Sequence, residues 1–248
     1  MKTTRLTALF AITAAPIMLF ASSAADVQIE STAKASYNLR VVLENRVTAT
    51  ATNGVVVLTG AVPDVGQKAL AEGTVGLLPG VTRVDNQIKV DSAASELSDE
   101  GLALKIHNLL LLRGAINATA IKVKVDKGVV ALSGAADTMR QRSLAEDDLT
   151  NIEGVKAVSN ELTVGDPTAN SRATGEAIDD ASIAAQLKYV LLSYRPTHAV
   201  KTVVTVTNGA VRIAGDASSG YEKDMVAHFT EGVRGVKSYA NDITVHDN

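Results

Sequence analysis

The stretch NGVVVLTGAV, Asn53–Val62, opens with a turn signal and continues as an apolar run ending at a second glycine. Asn-Gly between two alternating segments marks a tight hairpin, because both turn residues need positive φ. The residues before it, VTATAT at Val47–Thr52, alternate with a period of two, the pattern of a half-buried strand. The same phrase returns as KGVVALSGAA at Lys127–Ala136 and as NGAVRIAGDA at Asn208–Ala217. The strands IKVKVD at Ile121–Asp126 and TVVTVT at Thr202–Thr207 precede those copies.

The copies agree far beyond the hairpin. Gly54 and Gly60, Gly128 and Gly134, and Gly209 and Gly215 are each six apart. Twenty residues later come Gly80, Gly154 and Gly235, each followed by Val. Six further on stand Asn86, Asn160 and Asn241, and four after those Val90, Val164 and Val245. A repeat this long points to small tandem domains rather than a solenoid, whose units are shorter.

Between the second and third glycines, apolar residues fall at helical spacing, as Met139, Leu144, Leu149 and Ile152 show. The glycine that follows is a helix stop. The first copy is the weakest here, since Gly66, Gly73 and Gly76 each disfavour a helix. A strand, a crossover helix and a strand make the last two strands parallel. Upstream helices are expected at Asp99–Gly114 and Asp179–Arg195, and at Ser36–Arg46 in the first copy. The fold class read from the sequence is α+β. It comprises three tandem α-β-β-α-β domains, each a three-stranded mixed sheet packed against two helices. The domains are placed at 27–91, 97–165 and 176–246, with Asp91–Ser98 and Gly165–Ala177 as polar linkers.

Residues 1–25 read as a signal peptide: Lys2 and Arg5, an apolar stretch from Leu6 to Ala21, then small residues with cleavage after Ala24 or Ala25. This predicts export to the periplasm, and no later segment is apolar enough to span a bilayer. The chain has 248 residues and no cysteine, so disulfides and an N-terminal lipid anchor on cysteine are both excluded. Removing Lys2 and Arg5 leaves 22 basic against 27 acidic residues, which argues against nonspecific nucleic-acid binding.

The helix, the V.NG.V.L.G hairpin, the crossover and GV..V.N.L.V together resemble the BON domain. The match is best through Val125, Gly128, Val130, Leu132, Gly134, Gly154, Val155, Val158, Asn160, Leu162 and Val164. The first copy departs by its glycine-rich second helix, and the third by Ala210 and Tyr239. The resemblance implies a periplasmic protein that contacts phospholipid or envelope surfaces under osmotic or envelope stress. The alternative is a soluble periplasmic chaperone that holds exported proteins.

Chemistry finds little purchase. The histidines His107, His198, His228 and His246 lack metal-ligand spacing, and no phosphate-loop or nucleophile-elbow pattern occurs. Apart from the three asparagines, which are expected to fix backbone, no polar group is seen to recur in all three copies. The nine glycines, Gly54, Gly60, Gly80, Gly128, Gly134, Gly154, Gly209, Gly215 and Gly235, are assigned to structure. No enzyme activity, cofactor or metal is expected. One feature suggests a partner surface. Leu109–Leu112 occupies four successive helical positions, more than one sheet can bury. Either a neighbouring unit covers the excess, or Leu111, Leu112 and Leu192 form an exposed strip for lipid or a client chain.

Overall fold

The computed structural model describes residues 23–91, 98–165, 177–195, 197 and 201–246. Most of the expected signal peptide, most of both linkers and His198 lie outside them.

Three units follow one another. The first has α1 (Ala24–Ala35), a π-helical turn at Asn38–Val42, β1 (Val47–Thr52), β2 (Val55–Val62), α2 (Val65–Gly76) and a last strand in two pieces, β3 (Arg83–Asn86) and β4 (Lys89–Val90). The second has α3 (Asp99–Leu112), β5 (Ile121–Asp126), β6 (Val129–Ala136), α4 (Met139–Asp147) and β7 (Ala157–Val164). The third has α5 (Asp180–Ser193), β8 (Lys201–Thr207), β9 (Ala210–Ala217), α6 (Gly220–Gly232) and β10 (Ser238–Val245). In every sheet the hairpin pair is antiparallel and the crossover pair parallel, with the second strand central. Each helix starts on a side-chain cap that accepts an amide of its first turn: Ser23, Asp64, Ser98, Thr138, Asp179 and Ser219.

One expectation for the first unit is corrected. Its first helix is not Ser36–Arg46 but Ala24–Ala35, so Ala24 and Ala25, the expected processing boundary, are the first residues of α1. The segment Ser36–Arg46 forms the π turn and a loop instead, with Glu44 and Asn45 at positive φ. The glycine-rich α2 forms a full twelve-residue helix. Gly66 and Gly73 do not loosen it, because they face α5 of the third unit. A Cβ on Gly66 would meet the Tyr189 ring at 2.6 Å, and one on Gly73 would touch Ala185.

The cores are not three separate ones. The first unit keeps its own, around Ile29, Leu43, Val56, Leu58, Val75 and Ile88. The second and third share one continuous core, which Val42 and Leu70 of the first unit also join. They join by a reciprocal exchange. Arg113 bridges Val233 and Tyr194 bridges Ile152, both antiparallel. Arg113 and Tyr194 each stand fifteen residues before their turn glycine; Ile152 and Val233 each stand twenty-four after it. The two contacts are therefore one contact made twice, as about a two-fold axis. The Gly114 amide donates to the Gly232 carbonyl, and the Arg195 amide to the Asn151 carbonyl, each at 3.0 Å.

Candidate functional site

What recurs in all three units holds backbone. The turn residues Asn53, Lys127 and Asn208 have φ of 50–52°, and the glycines after them 76–82°. In this mirror-type turn two successive amides point outward. One carboxylate takes both: Asp26 accepts from Asn53 and Gly54, Asp99 from Lys127 and Gly128, Asp180 from Asn208 and Gly209. Sequence reading missed this recurring aspartate. Its signal was present, since it precedes the turn glycine by 28, 29 and 29 residues. The Gly54, Ser23, Asn53 hydrogen bonds, with Gly54 foremost, hold the Asp26 carboxyl down to about 2 against a smaller opposing effect of burial.

All nine motif glycines have positive φ. Gly60, Gly134 and Gly215 also lie against the first strand, where a Cβ would strike the carbonyls of Arg46, Ala120 and Lys201. The asparagines tie the last strand to the crossover helix. Asn86, Asn160 and Asn241 donate to the carbonyls of Lys68, Arg142 and Lys223 and accept from the amides of Ile88, Leu162 and Ile243.

What does not recur lies between units. Buried Asn38 of the first unit donates to Thr74 and to the Ser182 carbonyl, and accepts from Gln186 of the third. Gln67 donates to Asn108 of the second unit, which donates to Asp64. Between the second and third units, buried Arg113 pairs with Asp148, and His228 bonds the other oxygen of Asp148 at 2.9 Å. Burial, aided by Arg113 and opposed by Glu231 and Asp147, lowers the His228 pKa. Nearby, Tyr194 stacks on Phe229 at 4.1 Å, and burial pushes its hydroxyl up to about 12.

The units meet around a cleft of about 450 Å³. Its walls are Val65, Gly66 and Ala69 of α2, Leu104 and Lys105 of α3, and Tyr189 and Leu192 of α5, with Val90 at the rim. No single unit could form it. Leu192 is 68% exposed there, the barest leucine among the described residues. Leu111 is half-buried against the shared core. Leu112 is 1% exposed, so the expected strip is corrected at that position. The third unit covers the end of α3 through the Arg234 guanidinium, which donates to the carbonyls of Leu111, Arg113 and Ile116.

The cleft can receive an apolar group, but it holds no set of reacting atoms. Asp64 is occupied by Asn108 and the Gln67 amide, and burial raises the Tyr189 hydroxyl well above its ordinary value. Among the described residues there is no cluster of three or more metal-ligating side chains and no helix long and apolar enough to cross a membrane.

The BON domain family matches residues 25–92, 98–166 and 179–247, most of the chain. An outer membrane lipoprotein, DolP, of Haemophilus influenzae is 34% identical over 118 residues, 46% of this chain and 61% of that one. Osmotically-inducible protein Y of Escherichia coli is 31% identical over 113 residues, 44% and 56% of the two chains. A 21 kDa hemolysin of Actinobacillus pleuropneumoniae is 29% identical over 146 residues, 58% and 73%. The matched part thus spans about three fifths of the first two relatives. Among solved structures, the C-terminal domain of CdsD, a structural protein of the type III secretion system of Chlamydia trachomatis, is 17% identical over 85% of this chain and 96% of that one. The TM-score between the two is 0.24.

Proposed function

We propose that this chain, which belongs to the BON-domain family, is an exported envelope protein that binds phospholipid surfaces and works in osmotic or envelope stress. It acts by binding, not by catalysis. The observation that carries the reading is Leu192, bare at the lip of an apolar cleft that exists only because three units are packed together. An acyl chain or an apolar side chain fits that lip, and burying one leucine there is worth about 1.5–3 kcal/mol. The relatives support the setting: one is named as an outer membrane lipoprotein and another as osmotically inducible. The chain's acidic balance opposes anionic lipid at long range. Lys122 and Lys124, exposed on the outer face of β5, and the turn residue Lys127 offer a local basic patch.

Vesicle flotation tests the reading. With vesicles of phosphatidylcholine alone and with phosphatidylglycerol added, the protein should float in at least one case, and Leu192→Asp should reduce the bound fraction by about tenfold, the equivalent of 1.4 kcal/mol. Failure of the unsubstituted protein to float with either vesicle would remove lipid as the partner. Suppression of client aggregation without vesicles would then move the reading to a holding chaperone for exported proteins.

A further inference from the structure

A second groove shares no residue with the junction cleft. It lies in the first unit between α1 and β1, holds about 430 Å³, and is lined by Val27, Glu30, Ser31 and Lys34 on the helix and Val47, Thr48 and Ala49 on the strand, with Leu39 and Asn45 closing one end. β1 is an edge strand, paired only with β2. Its outer side carries backbone groups at alternate residues. The Ala51 amide points that way, since it donates to the Glu30 carboxylate at 2.8 Å. Two-residue alternation sends the amides and carbonyls of Ala49 and Val47 the same way, into the groove.

The other units show what this helix face does when covered. Counting from the clamp aspartates, Ser31 corresponds to Leu104 and Ala185, and Lys34 to His107 and Lys188. In the third unit Ala185 is buried against Gly73 of α2. In the second, Leu104 lines the junction cleft and half-buried His107 feels the charge of Glu44. In the first unit Ser31 is exposed where Leu104 and Ala185 are covered, and Val27, 54% exposed, and Lys34 stand open beside it.

We propose that this groove receives an extended segment of another polypeptide, added as a strand beside β1. Backbone amides and carbonyls at strand spacing are matched by another extended backbone, not by a lipid headgroup. The small Ala49 leaves room for the guest's alternate side chains over Val27. Charge fixes its composition: an acid is favoured near Lys34 and disfavoured near Glu30. The inference goes beyond the lipid reading and does not depend on it, because occupant and location both differ.

The test uses a fluorescein-labelled, end-capped ten-residue peptide of alternating valine and serine with one glutamate. The purified chain should bind it saturably by fluorescence anisotropy, and amide NMR shifts should centre on Val47 and Ala49. Methylating the peptide nitrogens that face β1 should weaken binding by about tenfold or more, since each removes a ladder hydrogen bond. Val27→Glu and Lys34→Glu, both at exposed positions that leave the core intact, should each weaken it severalfold. No saturable binding by the unsubstituted chain, equal binding of the methylated peptide, or shifts confined to residues of the junction cleft would each overturn the proposal.

Discussion

Replacing Asp99 by alanine isolates the contribution of the carboxylate clamp. The side chain takes the exposed Lys127 amide at 2.5 Å and the half-buried Gly128 amide at 2.9 Å. Hydrogen bonds to a charged group are worth about 1.5–3 kcal/mol when shielded and less where water can substitute. Crediting the exposed bond with about 0.5–1 and the shielded one with about 1.5–2 gives a loss of about 2–3 kcal/mol. Asp99 also opens α3, where an acid near the helix N-terminus contributes about 0.3–1 kcal/mol. Glu100 shares that first turn without gripping the hairpin, so Glu100→Ala reports the dipole share alone.

Urea denaturation of both variants is the assay. Asp99→Ala should lose about 2–3 kcal/mol and Glu100→Ala under about 1, a drop of roughly 5–10 °C in Tm against roughly 2 °C. Asp99→Asn keeps one neutral acceptor and should fall between. Equal losses for Asp99→Ala and Glu100→Ala would refute the clamp and leave only helix electrostatics.

Two further outcomes follow from the same geometry. Gly66→Leu drives a side chain into the Tyr189 ring, and overpacking of this kind typically costs about 1–3 kcal/mol; calorimetry should show the first unit melting ahead of the others, and a single unshifted transition would contradict the docking of α2 on α5. Asp26 is held near 2 in the folded chain against an ordinary 3.8. Its ionised form therefore stabilises the fold fully above the ordinary value, and that contribution disappears as pH falls toward 2. A carboxyl NMR titration of Asp26 centred near 4 would show that the clamp is absent in the first unit.

Much of a single unit was legible because its determinants are local. Asn-Gly dictates the turn, alternation dictates the strands beside it, and the length of the crossover makes the last strand parallel. The first helix of the first unit was not legible by periodicity. Ala24–Ala35 reads AADVQIESTAKA, buries few apolar residues, and follows the apolar run Leu6–Ala21 in the sequence. The spacing from Asp26 to Gly54 was the available clue, and it becomes visible only when aspartates are counted back from all three turns. Gly66 and Gly73 weaken the helical signal of the first copy for another reason. Helix propensity describes an isolated helix, whereas here the missing side chains let α5 approach closely. Leu109–Leu112 could not be apportioned from sequence either, because which leucine is bare depends on where a neighbouring unit lies.

The pairing of the second and third units also shows why copies of one module need not pair indiscriminately. Twenty residues after their turn glycines, the second unit has Asp148 and the third Phe229; one residue earlier stand Asp147 and His228. In the observed pairing His228 reaches across to Asp148, whose other oxygen holds Arg113. If two second units paired through the same reciprocal contact, Asp147 would take the place of His228 and set one carboxylate against another. Like charges set against each other at this half-exposed position oppose such a match. If two third units paired, His228 would face Phe229 and lose its acceptor. The module's shared aspartates, glycines and asparagines keep each unit folded alike. The residues that differ at equivalent junction positions make the second unit's best partner the third unit of its own chain, and that choice places Leu192 and the junction cleft on the surface of a single molecule.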